Sequence, residues 1–520
     1  MDTRKLTLTR KPKSKSKLTA QRRMANMSMA EDLPVENELL AEPICTVGPN
    51  QACKHSLANP ELNEFLHIYE ELIRSRFSAI TNTLKTLSIY QHELDFVTHA
   101  KRIAFDQLHY ELPLSLLEDS WISGLNLRAL HSYCIFRSFK ECVAKARFDQ
   151  ASWRECIALH TNFIHSCGYH TVNISPCADG RLQGLLSFIL RLVPSEAIYV
   201  KSYAGAMFNI EEDIANWAHR ELERLSGGLP GDEDKNYLKI AVYHYSSSNP
   251  SHQGCAAHGS DTERALESAL ERLNELRAAI NNTYGRGAAP DILLIGVDTD
   301  IDSIRVHFPD ANGDIDPDRY IDSGRIYQES IGMSREAART YISDALNKAE
   351  SQSGLNSEKG KMATGMRNLV LGLVEANLSQ IEYVIHYHAG RYAVIGHNER
   401  FICAGEAMNE LHLRNKFYFA HLNTVEEGAI HLDVGIKIFT NLNIKHGLAV
   451  PILVHYHYSS RVPGARERVI QRCRRVKAAI EARYSQLHGK GLLYCQMAIS
   501  DKAGSERCTF IEDEIAEAGH

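Results

Sequence analysis

The chain carries an imperfect copy of one of its own strand–helix segments, and no other feature limits its fold as strongly. The stretch AVYHYSSSNP (241–250) returns as VHYHYSSRVP (454–463). His244 aligns with His457 and Pro250 with Pro463 at an offset of 213, and Glu263-Arg264 aligns with Glu467-Arg468 at an offset of 204. AAI follows in both copies, at 278–280 and 478–480. The second copy therefore lacks nine residues, and the gap falls in the stretch that carries Cys255. The matched HYSS and proline spacing favours duplication of a whole supersecondary unit over chance similarity.

The unit itself reads as α/β. YLKIAVYHYS (237–246) and DILLIGVDTD (291–300) are short β-branched runs, as buried strands require. Between them TERALESALERLNELRAAI (262–280) is an amphipathic helix opened by Ser260 or Asp261. This order predicts a sheet covered by helices. At 520 residues the chain is too long for a single core. Four parts are expected: a basic tail and linker (1–58), a helical domain (59–150), an α/β domain (151–397) and the shortened copy (398–520). The helical part starts at Asn59-Pro60, an N-cap followed by proline at the first helical position. Leu62, Phe65, Leu66, Tyr69, Leu72, Ile73 and Phe77 follow at helical spacing.

Charge is uneven. Residues 1–30 hold nine lysines and arginines against Asp2 alone, a balance of +8 in a chain whose total is −6. Such a head, free of aromatics, cannot bury enough apolar surface to fold alone. An electrostatic tether to an acidic surface, a transit peptide and a solvated tail all stay open. Nothing supports nucleic acid, and no apolar run reaches the ~18 residues of a membrane helix. The twelve cysteines are scattered and contain no CxxC, which argues against a disulfide framework.

Chemistry concentrates in VNISPCADGRLQG (172–184), where Cys177, Asp179 and Arg181 alternate, with Gly180 and Gly184 loosening the backbone. Zinc favours thiolate and imidazole donors. Cys177 is one candidate ligand. His244 is another, on a strand face shared with Ile240 and Val242, and Cys255 follows eleven residues later. His252 and His258 flank Cys255, but zinc-finger spacings are absent. Three protein ligands would leave a fourth position for water, whose pKa zinc lowers to about 7. Asp179 could then orient that water, and Arg181 could hold Asp179 by a bidentate pair.

Cys-x-Asp-x-Arg, followed at a distance by His and Cys, resembles the signature of β-type carbonic anhydrases. ISPCADGRL, AVYHYS, CAAHGS, DILLIGVDTD and HLDVGIKIFTNL are closer to the carboxysomal branch, a divergent β-type once set apart as an epsilon class. The likeness covers nearly all of 59–520. It implies an α/β (α+β) chain with a helical N-terminal domain, a β-carbonic-anhydrase-like catalytic domain and a decayed copy without metal. It implies one Zn2+ per chain on Cys177, His244 and Cys255, with Asp179 and Arg181 as catalytic residues. His397, in VIGHNERF, is a further candidate for the site rim or a proton shuttle, or equally a core histidine. Ordinary β-type enzymes have His-x-x-Cys and pair two chains around their sites. Here the wider His–Cys spacing matches the carboxysomal branch, and the second copy could supply the pairing within one chain.

The activity implied is interconversion of CO2 and bicarbonate by zinc-bound hydroxide. It would feed Rubisco inside a carboxysome of the bacterial cytoplasm, in a homodimer or larger homo-oligomer. Two alternatives remain: hydrolysis of carbonyl sulfide or carbon disulfide, and a structural zinc protein acting as an assembly adaptor. The basic tail is expected to hold Rubisco or a shell-associated protein. Deleting residues 1–30 should leave turnover intact but release the enzyme from the carboxysome. Pull-down of the partner by the full chain should weaken steeply with salt, because exposed charges are screened over about 8 Å at physiological ionic strength. Normal packaging of the truncated chain would show that the folded domains carry the targeting.

Overall fold

The computed structural model describes residues 55–511 apart from 119–123, 146–149, 227–234, 352–360, 393–397, 407, 409–413 and 503–507. The basic tail lies outside the described residues. Helix Pro60–Tyr90 starts at the expected pair: the Asn59 side chain accepts the Leu62 N–H at 3.0 Å, and Pro60 takes the first helical position. Leu66, Ile73, Phe77, Ile80, Leu84 and Leu87 form its buried stripe. Helices Phe96–Leu108 and Leu127–Lys145 pack against it. The supposed linker already belongs to this structure at its end. His55 and Leu57 are buried, and the His55 ring lies 2.9 Å from Ser330 Oγ, so the segment is an anchor there and not a spacer. Helix Gln150–Ser166 occupies the region around 155 and sends Ile164 into the core of the first sheet.

That sheet has six strands: β1 (Tyr169–Pro176), β2 (Ile198–Val200), β3 (Asn236–Tyr245), β4 (Asp291–Asp298), β5 (Ile304–Pro309) and β6 (Ile315–Asp322). Their order is β2-β1-β3-β4-β5-β6; β1 to β4 pair in parallel, and β5 and β6 return antiparallel. Asp261, of the two residues considered, caps the helix Thr262–Tyr284 that joins β3 to β4, accepting the Arg264 N–H at 3.0 Å. The second sheet contains β7 (Phe401–Gly405), β8 (Phe417–His421), β9 (Val450–Tyr458), β10 (Leu493–Asp501) and β11 (Thr509–Ile511), ordered β8-β7-β9-β10-β11. Here too the first four are parallel and the last is antiparallel. Among the described residues, the duplication seen in one strand and one helix thus extends over five strands of the sheet, β6 being the one without a counterpart.

Alternation along the second sheet divides its residues between two cores. Phe401, Cys403, Phe417 and Phe419 face the N-terminal helices. Ile402, Ala404, Tyr418 and Ala420 belong to the other face, with helices Ala429–Leu442 and Ala465–Arg483.

A buried polar knot joins all three regions. Arg414, just before β8, makes a bidentate pair with Asp302 in the β4–β5 turn and stacks 3.8 Å from the Tyr392 ring centroid. Glu70 of the first helix accepts from Tyr383 and Tyr392 and lies 3.1 Å from the His388 ring. Burial would raise the Glu70 carboxyl, but His388, with Arg414 and Tyr383, holds it down to about 2. Arg414→Ala would leave Asp302 charged and buried without its partner. We expect a loss of about 3–5 kcal/mol on denaturant unfolding, while an exposed change such as Arg325→Ala should stay within about 0.5 kcal/mol.

Candidate metal centre

The loop after β1 is fastened from two sides. Within its own sheet, Cys177 N–H donates to Val242 O (3.0 Å) and Ala178 N–H to Tyr203 O (2.9 Å). From the second sheet, Phe419 N–H donates to Ala178 O (3.2 Å) and Asn415 N–H to Gly180 O (2.8 Å). Arg414 Nε reaches Arg181 O at 3.3 Å. Gly180 N–H donates to Glu399 Oε1 at 3.1 Å, and a Cβ at position 180 would lie 2.4 Å from Glu399 Cγ. Glycine is therefore needed there for close approach, not to loosen the chain.

This loop, β3 and the loop after β3 bring together three side chains. Cys177, His244 and Cys255 are buried, and their ligand atoms lie within 4.8 Å of one another. The two sulfurs are 3.6 Å apart. Both ring nitrogens of His244 are buried, and neither makes a hydrogen bond. A buried imidazole whose nitrogens make no hydrogen bond is costly, and a cation between it and the two sulfurs would remove that cost. Two soft sulfur donors and one imidazole are the donor set of an open zinc site. The thiols also share a proton: their mutual hydrogen bond, with burial, raises Cys177, and the same bond lowers Cys255.

Asp179 and Arg181 sit beside the three. Asp179 Oδ1 accepts from Arg181 Nε and from the Arg181 backbone N–H, both at 2.9 Å, and Oδ2 accepts from Arg181 Nη2 at 3.0 Å. Asp179 Oδ2 lies 3.7 Å from His244 Nε2. Burial would lower the Arg181 guanidinium, yet the paired carboxylate raises it above its ordinary value. His252 and His258 stay out of the cluster: His252 is exposed, and His258 Nε2 lies 3.3 Å from Gly205 O. His397 lies outside the described residues.

Comparison with known proteins bears on the same residues. Three models of the carboxysome shell carbonic anhydrase match in succession: the N-terminal one over 55–147, the catalytic one over 159–397 and the C-terminal one over 398–515. The chain belongs to the carboxysome shell carbonic anhydrase family. Among its curated relatives, the carboxysome shell carbonic anhydrase of Halothiobacillus neapolitanus is 43% identical over 88% of this chain and 90% of its own length. That of Prochlorococcus marinus (strain MIT 9313) is 40% identical over 86% and 87%, and that of Hydrogenovibrio crunogenus 38% over 86% and 84%. The enzymatic class, carbonic anhydrase, and the place in the carboxysome follow from this membership. None of the described helices is long and apolar enough to cross a membrane.

In this carboxysome shell carbonic anhydrase the second copy shows how a site of this kind is lost. Gly405 pairs with His455 as Pro176 pairs with Val242. The next backbone bond is also repeated, from Glu406 N–H to His455 O at 2.8 Å. Glu406 therefore stands where Cys177 stands in the first copy. Its carboxylate accepts the His457 N–H at 2.9 Å and lies 3.4 Å from Arg472 Nη1. His457 matches His244, but the loop from Tyr458 to Ala465 is too short to hold an equivalent of Cys255.

Several contributors escape sequence reasoning. Arg181 Nη1 also donates to Gln253 O (2.7 Å) and Thr299 Oγ1 (3.2 Å), which ties it to the loop carrying Cys255. Backbone acceptors leave no residue-type signal. Glu399 stands two residues beyond His397 in the motif already singled out, with nothing in its type to separate it from a surface glutamate. Metal analysis of the purified chain should find about one zinc, with none bound by the second copy. Cys177→Ala or His244→Ala should remove it while circular dichroism keeps the native spectrum. Two tightly held equivalents would contradict the assignment of Glu406.

Proposed function

We propose that this chain interconverts CO2 and bicarbonate at a zinc ion held by Cys177, His244 and Cys255, and so supplies CO2 to Rubisco within the carboxysome. The observation that carries this is the buried Cys–His–Cys group whose histidine has no hydrogen bond, set against a clamped Asp–Arg pair. Zinc bound there supplies the Lewis acidity that makes water a nucleophile near neutral pH. The chain's own part lies with Asp179 and Arg181. Three hydrogen bonds from Arg181 fix the orientation of the carboxylate, whose oxygens can each accept more than one hydrogen bond. A water beside the three ligands then donates to Asp179 and turns a lone pair toward the carbon of CO2. In the reverse direction Asp179 accepts the hydroxyl of bicarbonate, which fixes which oxygen leaves. Water is restricted because the ligands, Asp179 and Arg181 are all buried.

We further assign the basic tail to binding Rubisco or a shell-associated protein, on its charge alone. Asp179→Asn is the sharpest test of the mechanism. The amide can donate where the carboxylate only accepts, so zinc content should hold while turnover falls by about 100-fold or more. Full activity in that variant would remove Asp179 from the mechanism. Stripping zinc should abolish CO2 hydration with the fold kept. A holo protein that never turns over, and that unfolds on chelation, would instead be a structural adaptor. Faster turnover of carbonyl sulfide than of CO2 would change the substrate.

A further inference from the structure

Tyr418 lies on β8, one residue before the Phe419 N–H that holds Ala178 O beside Cys177. Its side chain is 1% exposed and packs on Gly435, where an added Cβ would come within 2.9 Å of Tyr418 Cδ1. Its hydroxyl is buried and makes no hydrogen bond. Tyr418 belongs to the same core as Ala178, and Ala256 packs against that core, so the ring lies where the chain neighbours of Cys177 and Cys255 enter it. Burial keeps the phenol protonated and able to donate.

The duplication shows what is unusual about it. Asn173 pairs with Tyr199 across β1 and β2, and Ile402 pairs with Tyr418 across β7 and β8, so the two tyrosines hold the same position in the two copies. The Tyr199 hydroxyl is satisfied, 2.5 Å from that of Tyr237, which accepts from Asn173 Nδ2 at 2.9 Å. Lys239, bonded to Asp213 and Ser175, completes that polar layer. In the second copy the residues matching Asn173, Ser175, Tyr237 and Lys239 are Ile402, Ala404, Val450 and Ile452. The position of Tyr237, which bonds Tyr199 in the first copy, and the three positions around it are all apolar in the second, yet the tyrosine keeps its hydroxyl. A buried hydroxyl left unpaired costs about 1–3 kcal/mol, which phenylalanine would avoid. Its partner is therefore to be sought outside the chain.

We propose that Tyr418 is a substrate-binding residue of the neighbouring metal centre, whose hydroxyl donates a hydrogen bond to an oxygen of bicarbonate. The inference rests on the function proposed above. Bicarbonate offers one O–H and two charged oxygens, whereas CO2 is a poor acceptor. An accepting carboxylate from the first copy and a donating phenol from the second would together fix its orientation. The metal-free copy would then contribute a group to the site as well as backbone contacts.

The test compares the zinc-loaded chain with zinc-loaded Tyr418→Phe. The variant should keep about one zinc and melt no lower than the parent. Its affinity for bicarbonate, measured by calorimetry, should fall about tenfold, the cost of one hydrogen bond to an anion. Its kcat/KM should fall by the same factor for hydration and dehydration, since the equilibrium constant links them. Tyr199→Phe, which breaks an internal bond, should lower the melting temperature and leave bicarbonate affinity unchanged. Unaltered affinity and kcat/KM in Tyr418→Phe would overturn the proposal, as would loss of zinc, which would make the hydroxyl a support for the ligands. If the zinc-loaded parent itself does not turn over, the proposed function falls and the role of Tyr418 falls with it.

Discussion

The short run from Cys177 to Arg181 is shared by two sheets, and the site depends on that sharing. On one side its amides bond Val242 and Tyr203 of the first sheet; on the other its carbonyls take bonds from Phe419, Asn415 and Arg414. Ala178 and Gly180 are fully enclosed, so these peptide groups cannot turn to water instead. Each left unpaired would cost about 1–3 kcal/mol. The second sheet thus both buries these carbonyls and supplies their donors. The second copy therefore contributes the hydrogen bonds that close the loop carrying Cys177.

The sequence made the outline readable because repetition and ligand chemistry act on side chains. HYSS and its proline revealed the duplication, the β-branched runs marked β3 and β4, and Cys177, His244 and Cys255 carry donors whose type limits their use. What stayed hidden is carried mostly by backbone. β1 and β7 show no obvious likeness, since SPC and AGE share nothing but their place in the register. The replacement of Cys177 by Glu406 could not be seen until hydrogen bonds fixed that register. The tail end of the supposed linker misled for a related reason. His55 has no helical or strand pattern around it, and partners more than 270 residues away, Ser330 and Glu382, give it a place. Long-range pairs of this sort are invisible to periodicity.

The pattern of loss in the second copy is itself ordered. The position of Cys177 is taken by a carboxylate held by Arg472 and the His457 amide. The polar layer beneath β7 has been replaced by aliphatic side chains, which suits a core freed from chemistry. His455 is kept neutral by burial and by His457, its ring nitrogens near Glu406 O and Ser500 Oγ. Against the apolar replacements around it, the unpaired hydroxyl on Tyr418 is a feature that stability alone does not explain.

Arg181 shows why the first copy retains an expensive buried ion pair. Exchanging such a pair for apolar packing is often neutral or stabilising, so its presence is poor evidence of a stability role. Its geometry offers another reason. One guanidinium reaches Asp179 through two nitrogens, Gln253 O at the entrance to the Cys255 loop, and Thr299 after β4. Its backbone carbonyl is held in turn by Arg414 from the other sheet. Loop, carboxylate and sheet edge are thus fixed to one planar group. A displacement of the Cys255 loop would have to move Asp179 as well, so ligand spacing and the direction of the accepting oxygen cannot drift apart. Lysine, a point charge with a single nitrogen, could neutralise Asp179 but could not hold all of these at once.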